Sequence, residues 1–518
     1  MLDAAALDCL QLDELQVVSD LHLGGRPGFQ IFASGPELAW LARQVADASV
    51  GGEAALLING DFIDFLAEDT PRAFDPDGVA VKLARILADP AFKPVFQALS
   101  ELLATPRRRL IINLGNHDLE LALPWVREQL SAALCGQDGA ARQRLLWVTD
   151  GTGVRLQVGG ASVLCLHGNE IDAWNVTDHE KLRRIARDRR YGLATEAWVP
   201  NAGAQLVVEV MNEIKAKYPF VDLLKPETSA VIPALSALNP SLVPRLREIA
   251  AIASRTAADA LRLRTGFLGA ESPDGAAPAG ASPNQPYQPY QPNQPALPAL
   301  PEWAGSTAPA ASARALLDQA ELAFAQGVAP IDLVRASQAD QLGVWSATWD
   351  WLRGQPTHEV LREALAFLDK DRSFDITAAD DTFRQFDAKV APEIDLLLTG
   401  HTHLARSLKR QRGGGHYFNS GTWARLMRIT PELRGDKQRF KQWFELMARA
   451  SLADLDAAPD TVMRKNTVVK IWADAQGATQ AELQQVQSGA GGKLVAVAQP
   501  GTRFTRPAPA RVAAAKPS

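Results

Sequence analysis

The sequence predicts an α/β protein whose strands deliver a cluster of metal ligands to one edge. Two observations predict it. Five apolar runs of strand length each end in a short motif of Asp, Asn, His and Gly, and five of the eight histidines lie in those motifs. Ligands at strand ends are what an open α/β sheet uses to build an active site.

Taken in order, Leu15–Val18 leads to Ser19-Asp20-Leu21-His22, and Ala55–Ile58 leads to Gly60-Asp61-Phe62-Ile63-Asp64. Leu110–Ile112 leads to Gly115-Asn116-His117-Asp118, Ser162–Leu166 to His167-Gly168, and Ile394–Leu398 to Gly400-His401-Thr402-His403. Glycine beside these ligands suits a backbone that turns sharply and approaches a cation or phosphate closely. Singly, each motif has an ordinary explanation. Gly-Asp-x-x-Asp can be a turn whose Asp caps a helix, and a lone His167 can be a packed core histidine. Five such motifs, each after an apolar run, point instead to one shared site.

Together the five motifs supply seven oxygen and nitrogen ligands plus one spare imidazole. That is the inventory of a two-metal hydrolytic centre. Carboxylate and amide oxygens mixed with imidazole, without thiolate, favour manganese, with iron or zinc as alternatives, over a purely oxygen-liganded magnesium or calcium site.

The five blocks, in this order, resemble those of the calcineurin-like metallophosphoesterases: Asp-x-His, Gly-Asp-x-x-Asp, Gly-Asn-His-Asp/Glu, His and Gly-His-x-His. The resemblance covers roughly residues 13–175 and 390–475. It implies a four-layer α/β/β/α sandwich in which Asp20, His22 and His403 hold one divalent ion, Asn116, His167 and His401 a second, and Asp61 bridges them. Asp64 would orient a ligand. His117 would stabilise the phosphoryl oxygens or protonate the leaving oxygen, with Asp118 fixing its tautomer. The nucleophile implied is a metal-bridging hydroxide. Phe65-Leu66 after the second block sets the chain apart from Ser/Thr protein phosphatases, which carry Arg-Gly there. In style the first two blocks are closest to bacterial UDP-2,3-diacylglucosamine hydrolases, which carry Arg where His117 stands.

The remainder of the chain sets the domain expectations: a core from 1–175 and 386–475, a helical insertion or cap at 176–385, and a short strand with a disordered tail at 476–518. Helical spacing marks about 174–264, as in Gln205–Ile214, and again about 311–370. Between them Ser272–Pro301 is Pro- and Ala-rich, a composition that reads as a flexible loop. Arg183, Arg184, Arg187, Arg189 and Arg190 cluster just after His167, either as a solvated helix face or as a phosphate clamp. Arg406, Lys409, Arg410 and Arg412 are expected on an exposed hairpin face. Asn419–Trp423 is expected to line the cleft, with Trp423 packed.

Net charge −5 gives no global case for nucleic-acid binding, and three scattered cysteines have no metal or redox spacing. The start lacks a signal-peptide pattern and no apolar run is long enough to span a membrane, so a cytoplasmic protein is expected, with peripheral membrane contact allowed. The expected function is hydrolysis of a phosphate mono-, di- or diphosphate ester, the substrate being a small molecule or a lipid-linked headgroup. A nuclease and a non-catalytic binding module on the same fold are the alternatives.

Overall fold

The computed structural model describes residues 8, 10–48, 51–69, 71–239 and 357–508. Contacts divide the chain into two compact units, 1–253 with 355–518, and 254–354; every described residue lies in the first. The Pro-rich stretch 272–301, most of the second helical stretch and the last ten residues lie outside the described residues.

Two sheets form the centre. The larger contains β2 (Glu14–Val18), β3 (Ala54–Asn59), β4 (Arg108–Asn113) and β5 (Leu145–Val148), all parallel, flanked on the β2 side by the antiparallel β14 (Thr467–Ala473), β15 (Thr479–Ser488) and β16 (Leu494–Ala498), with β17 (Phe504–Arg506) also on β15. The smaller has the order β1 (Gln11–Leu12), β6 (Val154–Val158), β7 (Ala161–Cys165), β9 (Leu396–Thr399), β11 (His416–Asn419), β10 (Arg406–Lys409).

Strand alternation explains how the sheets stack. Leu15, Val17, Leu57 and Ile111 point into a core shared with Leu156, Val163, Leu396 and Phe418 of the other sheet. The alternate residues Val18, Leu56, Ile58, Leu110 and Ile112 point outwards, under α1 (Gly35–Ala46), α2 (Val79–Ala88), α3 (Lys93–Ala104) and α4 (Pro124–Cys135). On the far face of the smaller sheet, Leu397 and Tyr417 pack against Phe383 and Phe386 of a helix, Asp381–Lys389. The result is the four-layer α/β/β/α architecture. Strands buried on both faces explain why their sequences read as unbroken apolar runs.

The structure corrects several expectations. The five ligand-bearing strands do not share one edge: β2, β3 and β4 belong to the larger sheet, β7 and β9 to the smaller, and the site lies where the two sets of carboxyl ends meet. The insertion is not purely helical, because β8 (Leu224–Lys225) pairs in parallel with β12 (Leu426–Arg428) of the core. Beyond residue 476 the chain makes ten-residue β15, then β16 and β17, rather than one short strand. Gln480, Glu482 and Gln484 at alternate positions disguise a strand in which Ala481 and Leu483 are fully buried.

The basic stretch after the last motif is also not an exposed face. Arg406 and Arg410 are buried, and Arg410 Nε donates to Asp387 Oδ1 at 2.8 Å while its Nη atoms donate to the carbonyls of Val390, Ala391 and Ile394. This guanidinium ties the helix Asp381–Lys389 to the strand pair β10–β11. Arg410→Met leaves Asp387 buried without its cation, so chemical denaturation should show a loss of about 3–5 kcal/mol. The double variant Arg410→Met/Asp387→Leu should recover part of that loss, since no uncompensated charge remains.

Candidate metal centre

The loops that carry the ligands are laced together by backbone hydrogen bonds. Asp20 N–H donates to Gly60 O, Leu21 and His22 N–H to Asp61 O, Leu23 N–H to Phe62 O, and Gly400 N–H to His167 O. Five of the seven expected ligands, Asp20, His22, Asp61, His401 and His403, have positive φ between 51° and 68°. Such a backbone costs a side-chain-bearing residue on the order of 1–3 kcal/mol and persists only where its surroundings enforce it. Here the ligands themselves share the left-handed turns with Gly60 and Gly168. Glycines also serve close approach: a Cβ on Gly60 would sit 2.1 Å from His167 Nδ1, and one on Gly400 would sit 2.5 Å from Asp20 Oδ2.

Donor atoms of all five motifs converge. Asp20, His22 and His403 form one group and Asp61, His167 and His401 another, each with ligand atoms within 4.8 Å of one another. Asp61 Oδ2 lies 3.3 Å from His167 Nε2 and 3.8 Å from His22 Nε2, so it stands between them. Asn116 Oδ1 lies 3.2 Å from His167 Nε2. The sequence-derived ligand set is therefore brought together entire.

The tautomers show what this cluster is built to receive. His167 Nδ1 faces Asn59 O at 2.8 Å, and a carbonyl only accepts, so Nδ1 carries a hydrogen and Nε2 is the nitrogen turned towards Asn116 Oδ1 and Asp61 Oδ2. His22 Nδ1 faces Asp64 Oδ2 at 3.2 Å, and its Nε2 then meets His403 Nε2 at 3.0 Å. In the protein alone shared protons bridge these inward-facing atoms, and once those protons leave, the same atoms offer lone pairs to one point. The residues fit a divalent metal.

Electrostatics agree. Burial alone would raise the Asp61 carboxyl, but the imidazoles of His167, His117 and His22 hold it well below the usual range. Burial pushes Asp20 up. Burial opposes protonation of His167, yet Asp61 and Asp20 lift it to about 10. The carboxylates thus demand positive charge, which in the protein alone only protons can supply.

His117 and Asp118 do not act as the expected pair. The Asp118 carboxylate accepts from Phe62 N–H at 2.8 Å and Gly115 N–H at 2.7 Å, pinning two ligand loops together, and burial raises it to about 7. Asp64 is the residue that faces His117: its Oδ1 lies 3.2 Å from His117 Nδ1 while its Oδ2 faces His22. Burial pulls the His117 pKa down, but Asp64 and Asp61 outweigh it and raise it to about 9.

Sequence reasoning missed several supporting groups. Ser19 Oγ donates to Asp20 Oδ2 at 2.5 Å, Asn419 Nδ2 to Gly400 O at 2.7 Å, Glu170 accepts from the N–H groups of His167 and Gly168, and Asp172 Oδ2 faces His401 Nε2 at 2.8 Å. Glu170 and Asp172 follow His167 with no motif to mark them. Trp423 is packed as expected, with Nε1 donating to Thr467 O. Arg183, Arg184, Arg187 and Arg189 pair with Glu180, Glu196, Asp188 and Asp77, mostly at the surface, which favours the solvated helix face over a phosphate clamp.

Beside Asp64 a cavity of about 310 Å³ lies between Arg26, Phe29 and Ile31 of the core and Asn212, Lys215 and Asp222 of the insertion. Residues 16–225 match the family described as calcineurin-like phosphoesterase. No curated protein matches the chain. The family match spans four of the motifs, and the structure adds the fifth, Gly400–His403.

Gly60→Ala should displace the His167 ring and strain a backbone at φ 90°. Its metal content after dialysis should fall below that of wild type, and its stability should drop by more than the roughly 0.4–1 kcal/mol that a compatible Gly→Ala change adds. Unchanged metal content would contradict the packing of His167 on Gly60.

Proposed function

Through residues 16–225 this chain belongs to the calcineurin-like phosphoesterases, metal-dependent hydrolases of phosphoric esters, and from that premise we propose a dinuclear enzyme that attacks its phosphate ester with water. The observation that carries the reading is the pair of donor groups, Asp20–His22–His403 and Asp61–His167–His401, with Asn116 beside the second and Asp61 reaching towards both. Manganese is the preferred ion, with iron or zinc as alternatives.

When bound, two divalent ions lower the pKa of a shared water towards neutrality and draw charge from the phosphoryl oxygens. The protein's own groups do the rest. Asp64 holds both His22 and His117 by their Nδ1 atoms, which fixes the rings and leaves His117 Nε2 free for substrate. At 20% side-chain exposure His117 is more open than His22 at 1%, in keeping with a group that meets the ester and protonates its leaving oxygen.

We assign the leaving-group side to the cavity beside Asp64. Its insertion wall, Asn212, Lys215, Ala216, Pro219 and Asp222, gives residues 176–385 the role of a specificity cap. The mixture of polar and apolar lining supports a small phosphate ester or a lipid-linked headgroup, and the ion-paired arginines of the helix His179–Arg190 support these over nucleic acid. A cytoplasmic location is supported by Cys135 and Cys165, which are buried and unpaired. No described helix is long and apolar enough to cross a membrane.

Metal analysis combined with a panel of phosphate mono- and diesters tests the reading. Wild type should bind two ions per chain and lose activity with chelator, and Asp61→Ala should lose both metal and turnover. An Asp61→Ala variant as active as wild type would refute the centre. His117→Gln should separate the roles: metal content stays near wild type while kcat falls by about 10²–10⁴. A His117 variant that loses metal in parallel with activity would make it a ligand instead.

A further inference from the structure

We propose that Asp172 is a positioning residue of the metal centre, which holds the His401 ring in register and makes the segment that leads into the insertion part of the site. The inference deepens the dinuclear reading above and rests on it.

His401 lies at the start of the last motif, and its Nε2 is 2.8 Å from Asp172 Oδ2. A carboxylate can only accept, so Nε2 carries the hydrogen and Nδ1 is the nitrogen with a lone pair to offer the Asp61–His167–His401 group. Without Asp172 the ring is free to take the other tautomer or to rotate, and either change removes a ligand. A histidine ligand whose far nitrogen donates to a carboxylate is also a stronger base towards its metal.

Asp172 is itself held. Its Oδ1 accepts from Trp174 N–H at 2.9 Å, its Oδ2 accepts from Asn175 Nδ2 at 2.8 Å, and its own N–H donates to Asn169 O. Asn169 is buried, and its Nδ2 donates to Asn175 O at 3.0 Å. The next layer belongs to the insertion. Gly203 N–H donates to Trp174 O at 2.9 Å, Asn201 Nδ2 reaches Val176 O, and Gly203 lies so close that a Cβ there would be 1.9 Å from Asn175 Oδ1. Two hydrogen bonds and one close approach thus fasten the helical start at Ala202–Leu206 to Trp174–Val176, whose Asn175 holds Asp172 against His401. Asp172 has no such contact with Asp20, His22 or His403, so its influence should fall on one metal site alone.

The experiment titrates manganese into full-length protein, stripped and reloaded, with equilibrium dialysis and elemental analysis as the readout. In wild type two ions should bind. Asp172→Ala should weaken one site by about 10- to 100-fold and leave the other within about 2-fold. Asp172→Asn keeps an oxygen that accepts from Nε2–H and should weaken it less. In a His401→Ala background, adding Asp172→Ala should cost no further affinity, because the ring it positions is gone. Wild-type affinity at both sites in Asp172→Ala overturns the inference. So does equal weakening of both sites with a lowered folding transition, which marks Asp172 as scaffold. Uptake of one ion by wild type overturns the dinuclear reading instead, and Asp172 is then judged by whether its loss weakens that single site.

Discussion

The constraint on which this structure depends is a knot of hydrogen-bond acceptors turned towards one another. Two imidazole nitrogens meet at 3.0 Å, a third faces an amide oxygen at 3.2 Å, and Asp61 lies among them with 1% exposure. The opposite nitrogen of His22 and His167 is committed to Asp64 and Asn59, so the inward nitrogens share protons in the protein alone and stand ready to exchange them for a cation. The fold around the knot is what keeps the acceptors from swinging away. Its two sheets are packed through a continuous apolar core, and Asp118 and Ser19 tie down the loops between strand and ligand.

Backbone energetics show how tightly that core must hold. Five left-handed ligand residues at on the order of 1–3 kcal/mol each approach the whole net stability of a domain, about 5–15 kcal/mol. The cost is offset by interlocking. The 20–23 and 61–64 loops exchange four backbone hydrogen bonds, and the Asp20 carboxylate accepts from His401 N–H at 2.9 Å, so each strained turn is gripped by another. Strain of this kind points the side chains inwards at a spacing that relaxed β-turns would not give.

Much of this was legible in the sequence for a local reason. An apolar run followed by Asp, Asn, His and Gly records both the buried strand and the turn at its end within ten residues, so the strands and the side chains that converge at their ends were legible locally. What could not be read depends on partners distant in sequence. Asp64 rather than Asp118 faces His117 because the second motif loop folds over the third, a matter of loop path. Arg410 looked solvated because its neighbours Lys409 and Arg412 are exposed, while the carbonyls that bury it come from Val390–Ile394. Polar residues at alternate positions hid β15, whose place between β14 and β16 buries even Gln480 and Glu482. Asp172 carried no signal because its role exists only once His401, more than two hundred residues later, returns to meet it.

That return explains how so long an insertion is tolerated at so sensitive a place. Chain closure costs entropy only slowly with length, so the penalty is governed by how firmly the two ends are held. Here β7 and β9 are parallel neighbours paired at Cys165 and Leu398, and the Gly400 N–H to His167 O bond fastens the points where the insertion leaves and re-enters. His167 and His401, on either side of that gate, belong to the same donor group. The two roots of the insertion are thus held both by backbone hydrogen bonds and by side chains of one donor group, which is why a long excursion between them leaves the donor geometry intact.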